Sequence, residues 1–156
     1  MKAITLAVSG LCLVLMHSVS FAQTKHPFKN IPVTDVSGTF TNATITITDF
    51  VVKDNQLHVA STLQGYLQGQ PVSIPSYEKV NVVSATCEQL LLEIGAETVV
   101  LSGNDFNIGT LMVTLNKKHN DQQLNNTLCS IAHLQNTNAS LHVLAAKLKQ
   151  LIRGLV

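Results

Sequence analysis

Charge is scarce in this chain. Only 12% of its 156 residues are Asp, Glu, Lys or Arg, about half the usual share. Aromatic residues are scarce as well, at 4% with no tryptophan. Beyond residue 22, nine Lys/Arg face nine Asp/Glu, so that stretch is neutral. A neutral chain lacks the basic footprint of a nucleic-acid-binding protein and the long charge block that seeks an anionic membrane. The eight glycines never cluster, which excludes a phosphate-cradling loop. No Gly-x-Ser-x-Gly occurs, no two histidines stand four apart, and no Cys-x-x-Cys is present. These absences remove the familiar signatures of serine hydrolases, zinc enzymes and redox motifs. Low charge does not mean disorder here, because 46% of the residues are apolar.

What is present begins with an export signal. Lys2 gives a positive start, Ile4 to Met16 is uncharged, and Ser20 and Ala22 supply small side chains. Small residues three and one positions before a cut are what a signal peptidase admits. Cleavage is expected between Ala22 and Gln23, leaving a secreted or periplasmic chain. As a helix the apolar run is roughly 20 Å long, short of the roughly 30 Å of a bilayer core. Cys12 would leave with the signal. Two cysteines then remain, Cys87 and Cys129. In an oxidising compartment a single disulfide is the simplest expectation, and closing that loop is worth about 4 kcal/mol. Two free thiols or half a metal site are the alternatives, although the spacing matches no zinc pattern.

Residues 23–37 are polar, contain Pro27 and Pro32, and lack periodicity, which predicts a flexible leader before a domain at 38–156. From Phe40 the pattern alternates, with Ala43, Ile45, Ile47 and Val51 opposed to Thr44, Thr46 and Thr48. β-Branched residues at period two predict a half-buried strand. A turn at Lys53–Gln56 leads to a second strand with Leu57, Val59, Leu63 and Leu67 on one face. Gly65 to Pro75, with two Gly and two Pro, predicts a connection. Further strands are expected from Lys79 to Thr86, at Leu90–Ile94 and at Val99–Leu101. A turn follows at Ser102–Asp105. Phe106 and Ile108 then fall in one phase and Leu111, Val113 and Leu115 in the other, which predicts a β-bulge at Gly109.

After Leu115 the period changes to that of a helix. Asn120 with Gln123 fits an N-cap and its reciprocal partner. Leu124, Leu128, Ile131 and Leu134 follow at spacings of four, three and three. A second helix is expected from Asn138, with Leu141, Leu144, Ala145, Leu148 and Leu151 as its stripe and Gly154 as its cap. Strands first and helices last predict an α+β domain: one antiparallel sheet with two C-terminal amphipathic helices packed on it and one disulfide.

The run Cys87-x-x-Leu90-x-Leu92-x-Ile94-Gly95, followed by Leu124-Asn125-Asn126-Thr127-Leu128-Cys129-x-x-Ala132-x-Leu134, resembles a group of small exported, largely uncharacterised bacterial proteins. Their signature is Cys-x-x-Leu-x-Leu-x-Leu-Gly and then Leu-Gly-Asn-Leu-Leu-Cys-x-x-Ala-x-Leu. Asn126, Leu128, Cys129 and Ala132 fall on signature positions, while Gly95-Ala96-Glu97 and Thr127 depart from it. The resemblance implies export and a Cys87–Cys129 bridge, and it supplies no catalytic residue.

Five histidines lie beyond the signal: His26, His58, His119, His133 and His142. His133 and His142 would meet only across a helical hairpin, and His58 falls on the polar face of a strand. Glu88, Glu93, Glu97 and Asp105 could form a carboxylate pair, but solvent-facing acids are ordinary in a sheet. Asn42, Asn125 and Asn138 head Asn-x-Ser/Thr sequons, which matter only in a eukaryotic secretory pathway. The expectation is a non-enzymatic exported protein without cofactor or metal, acting as an interaction or surface-structural protein. Its partner would be a protein or an apolar small molecule, with no nucleic acid and no transmembrane anchor in the mature chain. The alternative is a binding module for a lipid-like or other apolar ligand, whose pocket the abundant Leu and Val would line.

Overall fold

The computed structural model describes residues 26–33, 40–101 and 103–155. The predicted signal (residues 1–22), Cys12, and the Ala22–Gln23 cleavage point lie outside them. Strand β2 (Phe40–Lys53) and strand β3 (Gln56–Leu67) form a hairpin. The turn is Asp54-Asn55, both at positive φ, 50° and 58°. A two-residue hairpin turn requires that conformation, and Asp and Asn tolerate it better than other side chains.

The predicted connection at Gly65–Pro75 is corrected to a strand. Only Gln68 and Gly69 turn, at φ 51° and 79°, and β4 runs from Gln70 to Ala85. Its first half pairs with β3 and its second half with β5 (Gln89–Ile94). The Lys79 carbonyl accepts from Gly95 N at 2.8 Å, so the odd residues of β4 direct their backbone groups away from β3. Pro71 and Pro75 share that parity, so their missing N–H groups remove no bond to β3. Gly65 is needed for a different reason. A Cβ there would lie 2.8 Å from the ring of Phe40, which is buried against the β3 backbone.

The sheet holds six antiparallel strands in the order β1-β2-β3-β4-β5-β8, where β1 is Ile31–Pro32 and β8 is Leu111–Asn116. Strands β6 (Glu97–Leu101) and β7 (Asn104–Ile108) pair only with each other. Gly109 and Thr110 are therefore a passage between two sheets. The phase change there is not the predicted β-bulge. Irregularities of register occur instead at Thr41/Thr44, Ile47/Asp49 and Val82/Ser84. The slip after Ile47 places Phe50, at 2% exposure, in the core position predicted for Val51.

Helix α1 (Gln122–Asn136) is capped one residue later than predicted, by Asp121, whose carboxylate accepts from Leu124 N at 2.9 Å. A negative cap also suits the positive end of the helix dipole. Helix α2 (Leu141–Gly154) starts after Ser140. Asn138 is not its start, because φ 49° is outside the helical region. The buried stripes are Leu124, Leu128, Ile131 and Ala132 on α1, and Leu144, Ala145, Leu148, Leu151 and Ile152 on α2. Both helices cover one face of the sheet, α1 over β4 and β5, and α2 over β2 and β3. The expected α+β architecture is the one observed. No helix among the described residues is long and apolar enough to cross a membrane.

Two apolar clusters hold the layers together. The larger lies under the helices and includes Phe50, Leu90, Leu92, Leu128 and Leu148. The smaller lies under the β6–β7 hairpin: Phe40, Ala43, Leu63, Val99, Phe106 and Ile108. The segment predicted as a leader contributes to the first, so residues 26–33 belong to the folded unit. Phe28 is 3% exposed, meets Phe50 edge to face at 6.0 Å, and its carbonyl accepts from Ile47 N. The composition of 23–37 hides this because a single aromatic has no period to betray it.

Candidate functional site

Strand β4 alternates Val72, Ile74, Ser76, Glu78 and Val80 toward the helix and hairpin side of the sheet. Ser76 and Glu78 are thus carried between the two apolar clusters, with Ser61 across the ladder on β3. All three are buried, Glu78 to 4% exposure. The Ser61 hydroxyl bonds to the Glu78 carboxyl at 2.9 and 3.0 Å. Ser76 donates to Glu97, the first residue of β6. The cluster is a chain of alternating hydroxyls and carboxyls that ties the hairpin to the sheet. Burial pushes the Glu78 carboxyl above the usual glutamate range. The Glu97 charge adds to that effect, and hydrogen bonds from Ser76 and Ser61 oppose it.

A buried carboxyl beside a second one is the composition of an acid–base site. Ser61, Ser76 and Glu78 are buried, and Glu97 is half-buried at the edge of the cluster. The two largest grooves described are lined by none of these four residues. One, of about 570 Å³, lies between the β2–β3 turn, β4 from Lys79 to Val82, and the α1–α2 connection. Gln135 projects there, donating to the Val82 carbonyl at 3.1 Å, while its Oε1 is buried without a hydrogen bond. The other, of about 780 Å³, runs between α1 and α2 on their solvent side. Both are open and mix polar with apolar surface.

The cysteines are joined as expected. Cys87, in the β4–β5 turn, is bonded to Cys129 on α1, with Cα atoms 4.1 Å apart. The turn is formed by Thr86, whose hydroxyl accepts from Glu88 N and Gln89 N. Lys117 closes the same corner with an ion pair to Glu88 at 2.8 Å.

The candidate acids disperse. Glu88 pairs with Lys117, Glu93 contacts Asn81 at 3.4 Å, and Asp105 is exposed on β7. Only Glu97 meets another carboxyl, that of Glu78, which sequence reasoning missed. The period-two run from Val72 through Val82 could have found it, but treating Gly65–Pro75 as a connection hid that run. His58, expected in solvent, is 8% exposed, flanked across the ladder by Val51 and Lys79 and bonded to the Gln56 carbonyl. His26 reaches the Leu155 carbonyl at 2.8 Å, and His119, His133 and His142 are exposed. Among the described residues no three His, Cys, Asp or Glu side chains gather to hold a metal. Of the sequons, Asn42 and Asn138 are exposed at positive φ. Asn125 instead clamps the Lys118 backbone through both amide atoms.

No known protein family, curated protein or solved structure matches this chain.

Proposed function

We propose that the protein is an exported, secreted or periplasmic, non-catalytic interaction protein that works through its outer surface. The supporting observation is how its apolar interior is used. Phe50, Leu90, Leu92, Leu128 and Leu148 are each at most 2% exposed and pack on one another. A lipid carrier needs an enclosed apolar cavity, whereas the two large grooves described here are open and part-polar. The buried Glu78 carboxyl and the half-buried Glu97 lie away from those grooves, which favours a structural role for them over a catalytic one. A Cys87–Cys129 bridge is compatible with an oxidising, extracytoplasmic compartment, and the resemblance to small exported bacterial proteins points the same way.

Native mass spectrometry of the protein purified from its source tests this. The expected mass is that of residues 23–156 less two hydrogens, with no small-molecule adduct. A reproducible lipid adduct overturns the reading in favour of a carrier, and a chain recovered uncleaved from the cytoplasm overturns export.

A further inference from the structure

The neutrality of residues 23–156 conceals a segregation of charge. Residues 23–116 carry four Lys against eight Asp/Glu, a net of −4. Residues 117–156 carry five Lys/Arg against one acid, a net of +4. That acid, Asp121, is occupied as the α1 cap, and beyond it neither helix contains Asp or Glu. Two of the cations are neutralised locally, Lys117 by Glu88 and Lys149 by Asp49, each at 2.8 Å. Among the described residues no carboxylate pairs with Lys147 or Arg153 in the same way. The Lys147 ammonium donates to Gln150 at 3.1 Å, and Arg153 is exposed.

Lys147, Gln150 and Arg153 recur every three residues and form one ridge of the solvent-side groove between α1 and α2. The facing ridge presents Gln123, Asn126 and Thr127. Among the described residues the groove is therefore lined by two cations, amides and hydroxyls, with no Asp or Glu, and its apolar surface comes from the carbon stems of these polar side chains and from Gly154. The cations stand about 9 Å apart along the helix axis. We infer that this groove binds an acidic polysaccharide.

A single extended chain fits a furrow between two helices, and its hydroxyls match the amide-rich lining while its acidic groups meet Lys147 and Arg153. Single-stranded nucleic acid is disfavoured because the groove has no aromatic side chain on which bases could stack. A bilayer is disfavoured because Val143 is the one large apolar side chain strongly exposed on the described helices, too little to wedge into lipid. The inference rests on the interaction-protein reading and deepens it by naming a class of partner.

The test uses the oxidised mature chain and heparin as the probe. The expected result is binding that weakens as salt screens it, and a loss of about tenfold in affinity for the Lys147→Gln/Arg153→Gln double variant. Lys147→Arg/Arg153→Lys keeps the charges and should keep the affinity. Lys53→Gln, at the exposed end of β2, should bind like the parent chain. Absence of heparin binding, or equal losses in Lys53→Gln and the double variant, overturns the groove. Duplex DNA or phosphatidylglycerol vesicles binding as tightly as heparin overturns the polysaccharide assignment. None of these outcomes depends on adduct mass or export, so failure here is distinct from failure of the broader reading.

Discussion

Glu78 is the side chain whose environment has the clearest consequence in solution. Its carboxyl is held between two apolar clusters, and desolvation raises its pKa with help from Glu97. The folded protein thus holds the Glu78 proton more tightly than the unfolded chain does. The resulting stabilisation is fully present below the ordinary glutamate range and is lost as pH rises through the elevated value. Denaturant titrations across that window should show the parent chain losing stability with rising pH. Glu78→Gln, which keeps an acceptor for Ser61 but cannot ionise, should flatten the profile and be the more stable form at neutral pH. A variant with the parent's pH dependence would mean that some other group carries it. Nothing about Glu78 in isolation marks it in the sequence. Its burial follows only from its phase in β4, and the two prolines that seemed to deny a strand there are accommodated by an unpaired strand side.

At the scale of elements, the strands and helices that carry a regular period were legible: β2, β3, β8 and both helical stripes, whereas β5 is legible as a strand from the flanking Gly95 and not from its period. Boundaries set by one or two residues were not. The shift of the α1 cap from Asn120 to Asp121 and the start of α2 after Ser140 depend on individual φ values and hydrogen bonds, which no periodicity encodes. The same holds for Gly109, where a change of sheet and a bulge produce the same change of phase. The Cys87–Cys129 bridge joins the β4–β5 turn to α1 across 42 residues of chain. Replacing both cysteines with alanine should lower stability by about 4 kcal/mol, if loop closure in the unfolded chain dominates. Urea unfolding of the oxidised parent and the double variant measures the difference. A change below 1 kcal/mol would mean that the unfolded chain is already compact around this loop.

Considered whole, the fold draws on both ends of its described residues. Residues 26–33 lie along β2, and α2 packs on β2 and β3. The composition of the N-terminal segment predicted looseness, because one buried phenylalanine outweighs several polar neighbours only once Phe50 is placed beneath it. Phe28→Ala should cost about 3–5 kcal/mol, as for other buried aromatic truncations, measured by the urea midpoint. An unchanged midpoint would return that segment to the status of a leader. Net charge was equally misleading as a single number, since −4 and +4 are divided between the strand-rich and helical parts.

The contact between the His26 ring and the Leu155 carbonyl has a topological meaning. It brings the two ends of the described fold side by side, so residues 26–155 close nearly into a ring. Neighbouring ends are what make a fold amenable to circular permutation. A short linker joining them, with new ends opened at the exposed Gln68–Gly69 turn, would break no strand interior and leave the Cys87–Cys129 bridge within one continuous stretch. The order of the elements along the chain is therefore separable from their arrangement in space.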